Sequence, residues 1–199
     1  CNRLIFCYFI NMLFNNKFIL ASKSKSRFFI LKNNKLNFKQ IKPTCDEEKI
    51  KKKHDRKKTS IKNLSLLLAK EKAKSIAKKQ TNILVVGSDT IIELDKKMIE
   101  KAHNLGEAKQ KLKKLSGKKH NIYSSAAAYY NKKLVWKTTQ KTTVKIRDLN
   151  NKEINIYLHK TNKNILNSVG CFQIEKEGPN IIENIRGDYF NVMGFPLFP

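Results

Sequence analysis

The sequence predicts an α/β protein, and three segments support this fold class. Residues 83–86 form an apolar run that is typical of a buried strand and leads directly into Gly87-Ser88-Asp89-Thr90. Residues 18–21 form a second short apolar strand, and apolar residues recur at helical spacing through residues 61–79. Open α/β sheets bind ligands at the carboxyl ends of strands, so Asp89 is the first candidate for chemistry. An aspartate that only caps the next turn is the simpler explanation of this residue taken alone.

The first predicted strand runs into a loop, Ser22-Lys23-Ser24-Lys25-Ser26-Arg27, which opens a helix. Phe28, Ile30 and Leu31 give this helix an apolar face, and Asn33-Asn34 end it. Free N–H groups at a helix N-terminus, together with hydroxyls and cationic side chains, suit phosphate oxygens. A plain N-cap at Ser24 in a lysine-rich surface loop explains the same residues equally well.

The next segment is strongly charged. Asp46-Glu47-Glu48 is the densest acidic cluster of the chain, and it suits either a hard cation or a turn. Residues 49–58 then form a charge run without apolar periodicity, which predicts a solvated loop without a site. In the helix of residues 61–79, Lys72 lies at the edge of the apolar stripe, where its side chain can reach a cleft.

The second half of the chain predicts hairpins and helices. Residues 91–99 suggest a hairpin that turns at Asp95-Lys96-Lys97, and Asn104-Leu105-Gly106-Glu107 resembles a capping box that opens a helix ending at Gly117. Residues 119–130 and 134–146 predict a long antiparallel hairpin, and residues 150–153 cap a further helix. Short strands and tight turns are expected at residues 171–174, 180–182 and 188–190.

Composition bounds the class of protein. A chain of 199 residues with 40% hydrophobic content can fold as one domain or a two-lobed unit. Its 42 Lys and Arg against 16 Asp and Glu give a formal net charge of +26, which attracts phosphate-rich partners such as nucleotides, polymers or an anionic membrane surface. The lysines are spread over almost every segment, so the pattern does not indicate a localised nucleic-acid-binding stripe.

The cysteines and histidines indicate neither a zinc site nor a disulfide framework. No CxxC pair and no HxxxH pair occurs, so we expect a reducing, cytoplasmic location and assign no histidine a catalytic role. The apolar stretch at residues 4–10 is shorter than the about 20 residues that span a bilayer. We interpret residues 1–11 as an N-terminal extension and residues 12–199 as a single domain with two lobes.

Several catalytic motifs are missing from the sequence. It contains no GxxxxGK[ST], GxGxxG or GxSxG motif, which argues against a P-loop enzyme, a dinucleotide-binding oxidoreductase and an acyl-transfer enzyme. Carboxylates, lysines and a divalent metal remain, and these suit hydrolysis at phosphorus. Mg²⁺ prefers one or two protein carboxylates together with substrate oxygens, so Asp89 with Glu47 is a sufficient set.

Taken in order, these segments resemble the Maf family of nucleoside triphosphate pyrophosphatases over residues 18–199. The opening loop keeps both serines and the last arginine of an Ala-Ser-x-Ser-Pro-Arg-Arg pattern, and it lacks the proline and the first arginine. The matching segments are Ala21-Ser22-Lys23-Ser24-Lys25-Ser26-Arg27, Asp46-Glu47, Leu68-Ala69-Lys70-Glu71-Lys72-Ala73, Gly87-Ser88-Asp89-Thr90, Glu100-Lys101-Ala102, residues 106–117, residues 168–175 and residues 187–197.

The resemblance implies a two-lobed, inosine triphosphatase-like α/β fold: a mixed sheet, flanking helices and a central cleft. It implies cleavage of a nucleoside triphosphate to the monophosphate and pyrophosphate with Mg²⁺ or Mn²⁺. Asp89 would accept a proton or position a metal-anchored water, and Glu47 would join Asp89 as a metal ligand. The phosphate-binding residues would be Ser22, Ser24, Arg27, Lys72 and Lys101.

Ser26, Thr90 and Glu175 match positions that bear on base specificity in this family. Thr90 is similar to the dTTP and UTP branch, whereas Glu175 is similar to the 7-methyl-GTP branch. A glutamate accepts two N–H donors from a guanine edge, and its charge favours a methylated, cationic base, so we expect a modified or purine substrate.

The resemblance also implies a homodimer. We expect no stable binding to nucleic acid, because the lysines are spread along the chain, and no membrane partner. A different class of protein is suggested by the +26 charge: a basic nucleic-acid-binding module without catalytic activity. Steeply salt-dependent binding to DNA or RNA without triphosphatase activity distinguishes this alternative from an enzyme.

Overall fold

The computed structural model describes residues 17–56 and 60–198. In this part of the chain, six α-helices flank a sheet of seven strands. The strands are β1 Phe18–Ala21, β2 Phe38–Ile41, β3 Leu84–Leu94, β4 Lys97–Ile99, β5 Lys119–Tyr130, β6 Lys133–Ile146 and β7 Ile182–Arg186. The helices are α1 Lys25–Asn33, α2 Glu47–Arg56, α3 Ile61–Ala77, α4 Leu105–Leu115, α5 Asn151–Thr161 and α6 Tyr189–Met193. Two short 3₁₀ helices cover Asn162–Asn167 and Gly178–Asn180.

The sheet is mixed, in the order β2-β1-β3-β5-β6-β7, with β4 paired to β3 off this path. β1 is parallel to both β2 and β3, whereas β3, β4, β5, β6 and β7 pair antiparallel. This architecture confirms the predicted α/β class with a mixed sheet and flanking helices.

One edge of β3 contains a gap in the strand pairing, and Asp89 lies beside this gap. β1 pairs with β3 only as far as Gly87, and β4 joins the same strand only from Ile92. Between them, in the described part of the chain, residues 88–91 have no strand partner on that side. Successive side chains of a strand point to opposite faces, so Asp89 and Thr90 project on the two sides of this gap.

Both faces of the sheet are covered by helices. On one face, α3 packs against β1 and β3 through a cluster that includes Ala73, Ile76 and Val85. The opposite face carries two separate cores, one with α1 and the segment after α6, the other with α4 and α5. These two cores lie on either side of Thr90.

Helix α3 lies very close to β3 because residue 87 is a glycine. A Cβ atom at Gly87 would lie 2.3 Å from the Ala69 carbonyl oxygen and 2.5 Å from the Ala73 nitrogen. Small residues on both sides therefore let the two backbones approach, and this approach brings Lys72 of α3 beside Asp89 of β3.

Most predicted elements are confirmed. Capping at Asn104 and Asn150 opens α4 and α5 as expected, and Gly117 has a φ of +69°. The hairpin of β3 and β4 turns at Asp95 and Lys96, which both have positive φ. The long hairpin of β5 and β6 also forms as expected.

Three predictions were wrong. Residues 49–56, expected as part of a solvated loop, belong to α2. Asp46 accepts a hydrogen bond from the Lys49 nitrogen at 3.0 Å, and Ile50 packs against the core beside α3. Residues 171–174 form no strand, and residues 189–190 begin α6, which Asp188 caps. Asp89 lies in the middle of β3, because pairing with β5 continues the strand through it.

The interpretation of residues 1–11 as an extension falls outside the described residues, as does the part of the charge run at residues 57–58. Among the helices that the structure describes, none combines the length and the apolar character needed to cross a membrane.

Candidate active site

Lys72 is the centre of the site, because its ammonium group joins two carboxylates from different elements. Its Nζ lies 2.5 Å from Oδ1 of Asp89 on β3 and 2.9 Å from Oε2 of Glu47 at the start of α2. Lys72 and Asp89 are buried, whereas Glu47 keeps about a third of its side chain exposed, at 32%. The site therefore opens to solvent on the Glu47 side.

Neighbouring lysines lower the pKa of Glu47. Partial burial by itself would raise the pKa of the Glu47 carboxyl, but the charge and hydrogen bond of Lys72, with smaller contributions from Lys23 and Lys51, lower it overall. Glu47 is thereby held as a carboxylate, which is the form that can bind a metal ion or a proton donor.

Arg27 of α1 approaches from the other face of β3 and is held by three hydrogen bonds. Its Nε donates to the Gly194 carbonyl at 2.7 Å, Nη1 donates to Oγ of Ser22 at 3.3 Å, and Nη2 donates to Oγ1 of Thr90 at 2.9 Å. Burial lowers the pKa of Arg27, and the charges of Asp89 and Glu47 oppose this shift. The guanidinium is thus a fixed cation behind the gap in the sheet.

The loop between β1 and α1 is ordered by its serines. Ser24 caps α1 by accepting a hydrogen bond from the Arg27 nitrogen at 3.4 Å, and its own N–H donates to Oγ of Ser22 at 3.2 Å. Ser22 is only 2% exposed. Both serines thus shape the loop and the free N–H groups at the start of α1.

More cations surround the gap. Lys101, in the loop after β4, has a lowered pKa because of desolvation and the positive charges of Arg27, Lys72 and Lys23. Partial burial acts to lower the pKa of Lys51, but its bond to Glu48 and the charges of Glu48, Asp89 and Glu100 raise it overall. Lys51 belongs to the charge run of residues 49–58, for which the sequence predicted no site. The composition of this run did not indicate that Lys51 lies on a helix.

The three residues expected to bear on base choice occupy two places. Oγ of Ser26 donates to Oε1 of Glu175 at 3.2 Å, which joins the start of α1 to the segment before the second 3₁₀ helix. Thr90 has other partners: it contacts Arg27, Ser124 and the Gly194 carbonyl. Residues 149 positions apart in sequence thus meet at the protein surface.

The structure therefore links the predicted site residues in three ways. Lys72 connects Asp89 with Glu47, Arg27 connects Ser22 with Thr90, and Ser26 contacts Glu175. Sequence reasoning missed Gly194, whose carbonyl anchors Arg27; the glycine itself, which has a φ of +106° and ends α6, was the available signal.

This arrangement can bind a polyanion and activate water. Lysines, an arginine and a helix N-terminus surround two carboxylates that converge on one point. In the described residues, no group of three His, Cys, Asp or Glu side chains is placed to hold a metal ion. Any metal would have to rely on two protein carboxylates together with ligand and water oxygens.

Comparison with known proteins agrees with this geometry. The profile of the family described as "Maf-like protein" matches residues 17–199. A 7-methyl-GTP pyrophosphatase of Bartonella henselae is 38% identical over 181 residues, which cover 91% of this chain and 90% of that protein. A 7-methyl-GTP pyrophosphatase of Rhizobium meliloti is 33% identical over 181 residues, covering 91% of each chain. A nucleoside triphosphate pyrophosphatase of Caulobacter vibrioides is 30% identical over 178 residues, covering 89% of each. The match to the family over nearly the whole chain shows that this protein belongs to the Maf family.

Proposed function

We propose that this protein is a nucleoside triphosphate pyrophosphatase that hydrolyses its substrate to the monophosphate and pyrophosphate. The observation that carries the proposal is the contact of Lys72 with both Asp89 and Glu47, beside the gap in the sheet edge. Relatives with 30–38% identity along nearly the whole chain carry names that include this activity.

Binding of the triphosphate rests on the cations around the gap. Arg27, Lys72 and Lys101 would neutralise phosphate oxygens, and Ser24 with the free N–H groups of α1 would add hydrogen-bond donors. Ser22 would act mainly by holding Ser24 and Arg27, since both donate to its hydroxyl oxygen.

Hydrolysis would be promoted by Asp89. Its carboxylate would accept a proton from the attacking water, or position a water held by a metal, while the phosphoanhydride bond breaks and pyrophosphate leaves. Lys72, at 2.5 Å, pairs with Asp89 and orients its carboxylate before substrate binds. Pyrophosphate would then be released from the same lysine and arginine side chains that bound it as part of the substrate.

A divalent cation fits this site. Glu47 and Asp89 each contact the Lys72 ammonium group through one carboxylate oxygen, at 2.9 and 2.5 Å, so the second oxygen of each carboxylate would bind the ion beside Lys72. Oxygen donors are the ligands that Mg²⁺ and Mn²⁺ prefer, and such an ion would neutralise phosphate charge during bond cleavage. Glu47 and Asp89 are the residues that would hold it.

We assign the base preference to Ser26 and Glu175, and propose 7-methyl-GTP as the preferred substrate. The Ser26 hydroxyl fixes one oxygen of Glu175 at 3.2 Å, and a carboxylate at the cleft edge favours guanine N–H groups and a cationic methylated ring. The names of two relatives include this substrate.

A panel of canonical and modified nucleoside triphosphates tests both the reaction and the base. With Mg²⁺ or Mn²⁺, we expect release of pyrophosphate and not of orthophosphate, with the highest kcat/KM for 7-methyl-GTP. Equal release of orthophosphate from all substrates contradicts the proposed cleavage to the monophosphate and pyrophosphate. Tight, salt-dependent binding to DNA or RNA without hydrolysis supports the nucleic-acid-binding alternative.

We further propose a homodimer in a reducing, cytoplasmic environment. The two cysteines that the structure describes, Cys45 and Cys171, are free thiols, which supports the reducing compartment. Light scattering coupled to size exclusion measures the oligomeric state, and a mass equal to one chain at assay concentration contradicts the dimer.

A further inference from the structure

The hydroxyl group of Thr90 makes three contacts within the protein. Oγ1 of Thr90 accepts from Nη2 of Arg27 at 2.9 Å, lies 2.9 Å from Oγ of Ser124 and donates to the Gly194 carbonyl at 3.1 Å. The Ser124 hydroxyl donates its own hydrogen to the Asn191 carbonyl at 2.8 Å, so the single hydroxyl hydrogen of Thr90 is shared between Oγ of Ser124 and the Gly194 carbonyl. The donor capacity of Thr90 is therefore used within the protein.

Arg27 depends on this threonine for its orientation. A guanidinium has five N–H donors in one plane, and here one on each nitrogen is bound, by Gly194, Ser22 and Thr90. Three bonds from three directions fix both the position and the rotation of the group. The second N–H on each terminal nitrogen is left for another acceptor, which in the proposed reaction is a phosphate oxygen.

Gly194 contacts both Arg27 and Thr90 through its backbone carbonyl. Its carbonyl accepts hydrogen bonds from Arg27 at 2.7 Å, Thr90 at 3.1 Å and Ser88 at 3.3 Å. Its φ of +106° ends α6 in the left-handed region, and a Cβ atom there would lie 3.2 Å from Oγ1 of Thr90. Thr90 and Gly194 thus hold the Arg27 guanidinium in one position.

We infer that Thr90 is a positioning residue for Arg27, which it holds ready to bind the phosphates of the substrate. The inference deepens the proposed function and rests on its assignment of Arg27 to phosphate binding. It gives Thr90 a role in phosphate binding, apart from the contact between Ser26 and Glu175.

Titration calorimetry with inorganic pyrophosphate and Mg²⁺ tests the inference, because this ligand has no base. Thr90→Val keeps the shape and removes the hydroxyl, so we expect binding weaker by about fivefold or more. Thr90→Ser restores the hydroxyl and should bind within about twofold of wild type. A Thr90→Val protein that binds pyrophosphate as wild type does overturns the inference.

A matched control removes a buried threonine hydroxyl elsewhere. Thr161 in α5 donates only to carbonyls within its own helix, at 2.9 and 3.5 Å, so Thr161→Val should leave pyrophosphate binding unchanged. An equal loss of affinity in both valine variants would mean a general packing effect and would overturn the role of Thr90. Circular dichroism melting checks that each variant is folded.

A substrate-free measurement separates this inference from the proposed function. The side-chain NMR signals of the Arg27 guanidinium report rotation about the Cζ–Nη bonds, and Thr90→Val should speed that rotation while Thr161→Val should not. Unchanged rotation in Thr90→Val overturns the positioning role. Absence of pyrophosphate binding and nucleotide hydrolysis in the wild-type protein, with faster rotation in Thr90→Val, contradicts the proposed function only.

Discussion

The ammonium group of Lys72 lies 2.5 Å from Oδ1 of Asp89, with both side chains no more than 10% exposed. The lysine belongs to α3 and the aspartate to β3, and Gly87 lets these two elements approach closely. A buried ion pair costs desolvation energy, which its mutual attraction and hydrogen bonds must offset. The pair lies beside the gap in the sheet edge, where we propose that the substrate binds.

The first prediction concerns Asp89 itself. Asp89→Asn keeps the shape of the side chain but cannot accept a proton, so we expect pyrophosphate release to fall by about 10³-fold or more. Nucleotide binding should largely survive, since the cations remain in place. Stopped assays of pyrophosphate, together with calorimetric nucleotide binding, measure both, and near-normal turnover contradicts the role of Asp89.

The second prediction concerns the stability that Lys72 provides. Lys72→Met leaves Asp89 buried without its cation, so we expect the free energy of unfolding in urea to drop by about 3 kcal/mol at neutral pH. The double variant Lys72→Met/Asp89→Asn should regain part of that loss, because the buried carboxylate that has lost its cation is replaced by a neutral amide. Lys74→Met, at an exposed position of the same helix, serves as the control and should change stability by less than about 0.5 kcal/mol.

The third prediction separates base reading from phosphate binding. Glu175→Gln removes the negative charge that faces a cationic base, so kcat/KM for 7-methyl-GTP should fall about tenfold relative to dTTP. Pyrophosphate binding should stay within about twofold of wild type. An unchanged ratio of the two substrates removes Glu175 from the specificity site.

The fourth prediction follows from a buried histidine. His120 is 2% exposed, and neither ring nitrogen has a hydrogen-bond partner among the described residues. Burial lowers its pKa from 6.5 to about 4. The folded protein therefore holds His120 neutral, and the unfolded chain binds a proton first as the pH falls.

His120 should thus favour unfolding as the solution is acidified from pH 6.5 to pH 4, by up to about 3 kcal/mol, with no effect above pH 6.5. His120→Leu removes the titrating group, and its free energy of unfolding should fall less than that of wild type over this range. Chemical denaturation at pH 7, 5.5 and 4 measures the difference. His159→Gln, at an exposed position, is the control, and equal pH dependence in His120→Leu and wild type contradicts the assignment.

The fifth prediction tests the close approach of α3 to β3. Gly87→Ala places a methyl group against the backbone of Ala69 and Ala73, so we expect a loss of about 3 kcal/mol in the free energy of unfolding. Activity should fall as well, because a displaced α3 separates Lys72 from Asp89. Gly106→Ala, where the only near atom is the Asn104 side chain at 3.2 Å, should change stability by less than about 1 kcal/mol. Equal effects of the two substitutions contradict this account of the packing.

Local signals predicted most of the fold. Side chains of Ser24, Asn104 and Asn150 cap helices within three residues of themselves, and the left-handed turn at Asp95 and Lys96 joins two strands that are adjacent in sequence. Such interactions depend on neighbouring residues, so they are visible in the sequence. Helix α2 was missed because its charged run has no apolar period; Ile50 contacts the core.

The sequence by itself determined the α/β class, most element boundaries and the chemical identities of the candidate residues, because periodicity and capping act over a few residues. Only the tertiary structure decided how those residues combine. Arg27 and the Gly194 carbonyl lie 167 positions apart, and Ser26 and Glu175 lie 149 apart. Their contacts depend on where β1 stops beside β3 and on how α6 packs, and long-range packing of this kind leaves no periodic pattern in the chain.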